Sequence, residues 1–127
     1  MAHQVEAGDV SKGDYVIIDD EPCQVQEASK SMAGKHGHAK VSIRAEGVFD
    51  GQSYQEKVGA DHKLMTPDIQ KKTGQVVSRD GTVAQVMDMD TYETEEMELP
   101  DDLDVDEGEE ISFWDIDGRK LVKGKAD

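Results

Sequence analysis

Apolar residues recur at every second position in short runs along the chain, which is the period of a half-buried strand. Tyr15–Val16–Ile17–Ile18 is a compact apolar strand entered through the turn Ser11–Lys12–Gly13–Asp14. Asp19–Asp20–Glu21–Pro22 turns the chain, and Cys23–Gln24–Val25–Gln26 alternates again. Val41, Ile43 and Ala45 alternate with Ser42, Arg44 and Glu46. Asp50–Gly51 then marks a hairpin leading into Tyr54–Val58. Closely spaced strands with glycine corners predict a small barrel.

Thr66–Pro67 ends this unit, and Thr73–Gly74 opens another. Gln75–Val77 and Val83–Met87 flank the second hairpin signal, Asp80–Gly81. Thr91–Leu99 reads as a strand, Pro100–Asp106 as an acidic connection with room for one helical turn at most, and Ile111–Ile116 and Leu121–Val122 as the last pair. Five strands with a short connection before the final pair suit an OB-type barrel. The expected organisation is all-β, with domains at 1–69 and 70–127.

Hydrophobic residues make up 35% and aromatics 5% of the 127 residues, so both cores must be thin and aliphatic. The formal net charge is −15. The regular alternation excludes disorder as its explanation. An acidic mimic of nucleic acid remains a rival, but the acids run through structured segments as well as loops. That distribution favours a salty cytoplasm, where screening lengths fall to about 3 Å near molar salt. No run is long enough for a membrane span, Met1–Ala7 lacks the order of a signal peptide, and the lone Cys23 sits in a strand pattern as a small buried hydrophobe. A cytoplasmic location is expected.

The charge is unevenly placed. Residues 1–72 hold nine Lys and Arg against twelve Asp and Glu, whereas residues 73–127 hold five against seventeen. Between Glu27 and Glu46 there is no acid at all, yet Lys30, Lys35, His36, His38, Lys40 and Arg44 fall there. In so acidic a chain this gap reads as a surface kept clear for an anion. Gly34 and Gly37 allow tight curvature, so the segment Lys30–Lys40 can present Lys35 at its tip. Other chemistries fit less well. His36 and His38, with His62 distant, lack the Cys or carboxylate company of a zinc site. Gly34–Lys35 lacks the remaining positions of a phosphate-cradling P-loop. No Ser/His/Asp or Cys/His set has nucleophile context, so the chain does not read as an enzyme. A general single-strand RNA binder is a further rival, but of Phe113 and Trp114, adjacent on one strand, one must face inward.

The run Gly34–Lys35–His36–Gly37–His38–Ala39–Lys40 resembles the hypusine loop of the translation initiation factor 5A family, archaeal and eukaryotic relatives of bacterial elongation factor P. The resemblance extends to Ser11–Val16, to Gly47–Val48–Phe49–Asp50–Gly51, and to Met87–Thr94, which together cover nearly the whole chain in the expected order. It implies an N-terminal SH3-like barrel and a C-terminal OB barrel. It also implies that Lys35 carries a polyamine-derived modification, hypusine or deoxyhypusine. Deoxyhypusine synthase, a separate NAD-dependent enzyme, would transfer an aminobutyl group from spermidine, and the chain itself would need no cofactor or metal. The implied partners are the ribosome, peptidyl-tRNA and ribosomal RNA. Lys30, Gly34, Lys35, His36, Gly37, His38 and Lys40 are the implied contact residues, and promotion of peptide-bond formation at stalled steps is the implied role. The family carries lysine where Met32 stands and Thr or Pro where Ala33 stands, so this chain has one positive charge fewer beside the tip.

Overall fold

The computed structural model describes residues 3–32 and 39–126. Among the described residues the regular structure is eleven strands and a single 3₁₀ turn, and the chain divides into the units Met1–Asp68 and Ile69–Asp127. Each unit contains a curled sheet around its own apolar cluster, the first SH3-like and the second OB-like.

In the first unit β2 (Tyr15–Ile18), β3 (Glu21–Met32), β4 (Ala39–Gly47) and β5 (Ser53–Gly59) form an antiparallel meander. The β2–β3 turn uses Asp19 and Asp20 at φ 52° and 65°, the left-handed pair of a tight hairpin turn. Alternation in β4 buries Val41, Ile43 and Ala45 and exposes Lys40, Ser42, Arg44 and Glu46, as the sequence predicts. For β3 the alternation predicts only Cys23–Gln26. The observed strand is twelve residues long, with a register shift between Val25 and Glu27 that leaves Gln26 unpaired. This bulge reverses the in/out parity, so the period-two pattern breaks at the point where the strand continues. Two further strands, β1 (His3–Glu6) and β6 (Lys63–Thr66), pair with each other, and β6 also packs beside β2. The sequence does not announce them, because four-residue strands with few buried positions leave little periodicity to read.

The second unit has the order β11-β10-β7-β8-β9, with β11 and β9 in contact to close the curl. Its strands are β7 (Ile69–Asp80), β8 (Val83–Asp88), β9 (Thr94–Glu98), β10 (Glu110–Ile116) and β11 (Arg119–Lys125). The five-strand count agrees with the sequence pattern. The first strand begins at Ile69 rather than Thr73, because its inward position is held by Lys72, whose ammonium reaches the Asp88 carboxylate. A lysine at a core-facing position hides the strand from hydrophobic patterning. The acidic connection contains no helical turn. Within it Val105 is fully buried and Leu103 packs against the core, so the run is solvated only at its acids.

The run Met87–Thr94 joins the end of β8 to the start of β9 through a capped turn at residues 89–93. Asp88 Oδ1 accepts the N–H groups of Asp90 and Thr91 at 2.8 and 3.3 Å, and its other oxygen accepts the Lys72 ammonium at 2.5 Å. The Tyr92 N–H donates to the Asp88 carbonyl at 2.7 Å, and Tyr92 stands 70% exposed at φ 63°. Burial pushes the Asp88 carboxyl up, but Lys72 and the two N–H groups more than offset it, holding the pKa below the ordinary value. A depressed folded pKa contributes stability above the unfolded pKa of about 3.9 that is lost as pH falls through the lower folded value. Asp88→Asn should therefore cost about 1–2 kcal/mol at neutral pH. Urea titrations should show the gap to wild type closing below about pH 3.9, the ordinary carboxylate value.

Candidate functional site

The candidate tip lies in residues 33–38, between β3 and β4. Gly34, Lys35, His36, Gly37 and His38 are outside the described residues, so the structure defines what holds the segment. The strands run further into it than the sequence suggests. Lys30, Ser31 and Met32 belong to β3 and Ala39 and Lys40 to β4, with Lys30 opposite Val41, Ser31 opposite Lys40 and Met32 opposite Ala39. The ends of the segment Lys30–Lys40 are therefore strand, through Met32 on one side and from Ala39 on the other.

A ladder of backbone hydrogen bonds fixes the base of this hairpin. The Ala60 N–H donates to the Ala39 carbonyl at 2.8 Å, the Gly8 N–H to the Ala60 carbonyl at 2.8 Å, and the Ala7 N–H to the His62 carbonyl at 2.9 Å. The 3₁₀ turn Ala7–Asp9 thus braces Gly59–His62, which in turn braces the start of β4. Ala7 is completely buried, which anchors the outermost member of this chain of contacts. No single local sequence signal announces such a brace, since its parts lie at residues 7–9, 39 and 59–62.

The flanking cations do not form one surface. Directly opposed residues of an antiparallel pair share a face. Lys30 therefore shares the core side with buried Val41, at the last buried rung of β4, and a Cβ on Gly8 would lie 3.4 Å from its Nζ. Lys40, opposite Ser31, projects from the other face. Arg44 is paired across the ladder with Glu27 at 3.2 Å, so it is not available as a free cation. Among the described residues, the acid-free stretch in the sequence thus becomes two exposed lysines on opposite faces of a braced strand pair.

Two other features are structural. Cys23 is fully buried, its Sγ donating to the Glu21 carbonyl at 3.3 Å, and burial raises its pKa to about 11. A thiol so held is not a nucleophile at neutral pH. In Gly47–Gly51, Asp50 accepts the Gln52 N–H at 2.9 Å and the Tyr54 hydroxyl, and this hydrogen bond lifts the phenol to about 12. Its side chain lies over buried Gly47, where any Cβ would collide with it. This motif builds the β4–β5 turn. Of the two adjacent aromatics, Phe113 is the inward one, completely buried, and Trp114 lies on the outer face.

Two curled sheets, each around its own apolar cluster, define a small all-β protein of two barrel-like units, SH3-like then OB-like. Residues 1–62 match the family described as translation initiation factor 5A-like, N-terminal. Translation initiation factor 5A of Korarchaeum cryptofilum is 48% identical over 125 residues, covering 94% of this chain and 93% of that protein. The Halobacterium salinarum protein of the same name is 42% identical, with 94% of each chain covered. The structure of eukaryotic translation initiation factor 5A from Methanococcus jannaschii superposes with a TM-score of 0.91 at 29% identity, over 99% of this chain and 98% of that one. The chain belongs to the translation initiation factor 5A family.

Proposed function

We propose that this translation factor binds the ribosome beside peptidyl-tRNA and promotes peptide-bond formation at stalled or poorly reactive steps through a polyamine-modified Lys35. The observation that carries the reading is the sequence Gly34–Lys35–His36–Gly37 at the end of a hairpin whose base is fixed by the Ala7–Gly8, Ala60–His62 and Ala39 hydrogen bonds. A firmly held base for a long modified side chain is what a positioning device needs. Modification by deoxyhypusine synthase, with spermidine as donor and NAD used by that enzyme, lengthens Lys35 and adds an amine. The result is greater reach and extra donors for phosphate oxygens of the tRNA acceptor end or ribosomal RNA. Holding the acceptor end in reactive geometry lowers the entropic part of the barrier. The ribosome performs the chemistry, and this chain is not itself an enzyme.

Lys30 and Lys40, on opposite faces of the stalk, would each meet phosphates on one side of the tip. This role belongs to the cytoplasm. Among the described residues no helix is long and apolar enough to cross a membrane.

Intact-mass analysis and peptide mapping of protein from its source organism provide the direct test. The expected result is an aminobutyl-derived adduct confined to Lys35. A fully unmodified Lys35 peptide would remove the chemical basis of the proposal.

A further inference from the structure

The second unit carries most of the negative charge, and its cations have two distinct arrangements. Lys72 is paired with Asp88 at 2.5 Å, Lys120 with Glu95 and Asp115 at 3.1 and 3.4 Å, and Arg79 with Asp104 at 3.5 Å. Lys71 and Lys123 are different. Neither has a carboxylate within 4.0 Å among the described residues, although acids abound. Instead their Nζ atoms lie 4.9 and 4.4 Å from the ring centroid of Trp114.

Sheet geometry sets this arrangement. Lys71 stands directly opposite Trp114 across the β7–β10 ladder. Lys123 is the unpaired residue of a bulge, because Phe113 faces Val122 and Ser112 faces Gly124. The bulge turns Lys123 out of the alternation and over the indole. Ser112 and Thr73, paired with each other, share the same outer face, and Glu110 lies on it two positions beyond Ser112. The other acids of the unit are mostly placed elsewhere: Glu95, Glu96 and Glu98 on β9 at the far edge of the sheet order, and the Asp101–Glu109 acids in the connection.

We propose that the outer face of β7, β10 and β11, centred on Trp114 between Lys71 and Lys123, is a contact surface for the phosphate backbone of single-stranded RNA. Two like charges on one ring repel each other, and for stability alone either lysine would do better on a carboxylate, as Lys72 and Lys120 do. Grouped cations beside an aromatic plane and two hydroxyls match an anion that alternates phosphates with stackable bases. A protein partner would instead require a wide desolvated apolar centre, whereas here Trp114, with Leu121 opposite it on β11, is bracketed by Lys71 and Lys123 and has Ser112 and Thr73 on the same face. This surface is separate from Lys35 and does not depend on the modified-lysine reading.

Trp114 is the only tryptophan, so its fluorescence reports the site directly. The test titrates a ten-residue oligouridine into the full chain bearing Lys35→Ala, at several KCl concentrations, and compares it with the same chain carrying Lys71→Gln and Lys123→Gln. The expected result is saturable Trp114 quenching by RNA. The double variant should bind more weakly, with the slope of log affinity against log salt reduced by about 1.4, at about 0.7 for each phosphate that a lysine neutralises. Lys71→Arg with Lys123→Arg should retain binding, and this pair also serves if the glutamine variant melts early. Unchanged fluorescence on adding RNA, or equal affinity and slope in the glutamine variant, would overturn the proposal. So would equal quenching by a polyglutamate of matched charge, which would point to an acidic protein partner.

Discussion

Lys35→Arg should fold like the wild type yet fail to accelerate peptide-bond formation. Residues 33–38 contribute only Ala33 as an apolar side chain, and the apolar cluster of the first unit is built from Ala7, Val10 and positions in β2, β3, β4 and β6. Replacing one cation by another there opens no cavity, and such substitutions change stability by within about 0.5 kcal/mol. Function should respond quite differently. A guanidinium cannot accept the aminobutyl group, and its rigid planar fork does not imitate a long flexible amine. If the modified side chain positions the acceptor end, misplacement by ~1 Å costs about 10²-fold in rate. A reconstituted translation assay at a run of prolines should therefore show modified wild type accelerating the stalled step. Lys35→Arg should leave the rate near that of ribosomes without factor. Lys35→Ala should behave the same way, since charge alone is not the active property. Full acceleration by Lys35→Arg would refute the modified-lysine mechanism while leaving the family assignment intact.

The sequence was most legible where one residue faces in and the next faces out without interruption. Val41, Ile43 and Ala45 show this, as do the turns at Asp50–Gly51 and Asp80–Gly81. It was least legible where a bulge reverses parity. Gln26, Val77 and Lys123 each stand at a register shift, and alternation read through such a point assigns the wrong face. Charged residues at inward positions hid structure as well: Lys72 concealed the start of β7, and the acids around Val105 concealed a core residue. The candidate site is a single contiguous run in the sequence, Gly34–Lys35–His36–Gly37, and it lies outside the described residues. Its mechanical support was not readable. The brace joins three segments far apart in sequence through backbone groups, which carry no residue signature. Likewise, the acid-free stretch suggested one basic patch. Only the strand register shows that Lys30 and Lys40 face opposite ways and that Glu27 neutralises Arg44.

Phe113→Ala should unfold the second unit while sparing the first. Phe113 is completely buried, sits opposite Lys72 on β7 and Val122 on β11, and packs so closely on Gly74 that a Cβ there would lie 3.0 Å from its ring. It is the largest member of a cluster otherwise made of Val, Ile, Leu, Met and Ala, so no neighbouring side chain can swing in to fill the space. Truncating a buried phenylalanine costs about 3–5 kcal/mol. Ile69–Asp127 is a small unit, and at about 0.05–0.15 kcal/mol per residue its whole stability is on the order of 3–9 kcal/mol. One substitution thus removes about a third or more of what holds the second sheet. The first unit has its own cluster, in which Ile43, Val16 and Val25 are each no more than 2% exposed, and Phe113 is not a member of it. Hydrogen exchange read by mass spectrometry should therefore show lost protection across β7–β11 and native protection in β2–β5. Trp114 fluorescence should report the same event, being the only indole and lying next to the substituted residue. Loss of protection in both units together would mean that the second core supports the first. Retention in both would mean that the cavity left by Phe113 collapses far more easily than its rigid aliphatic walls allow.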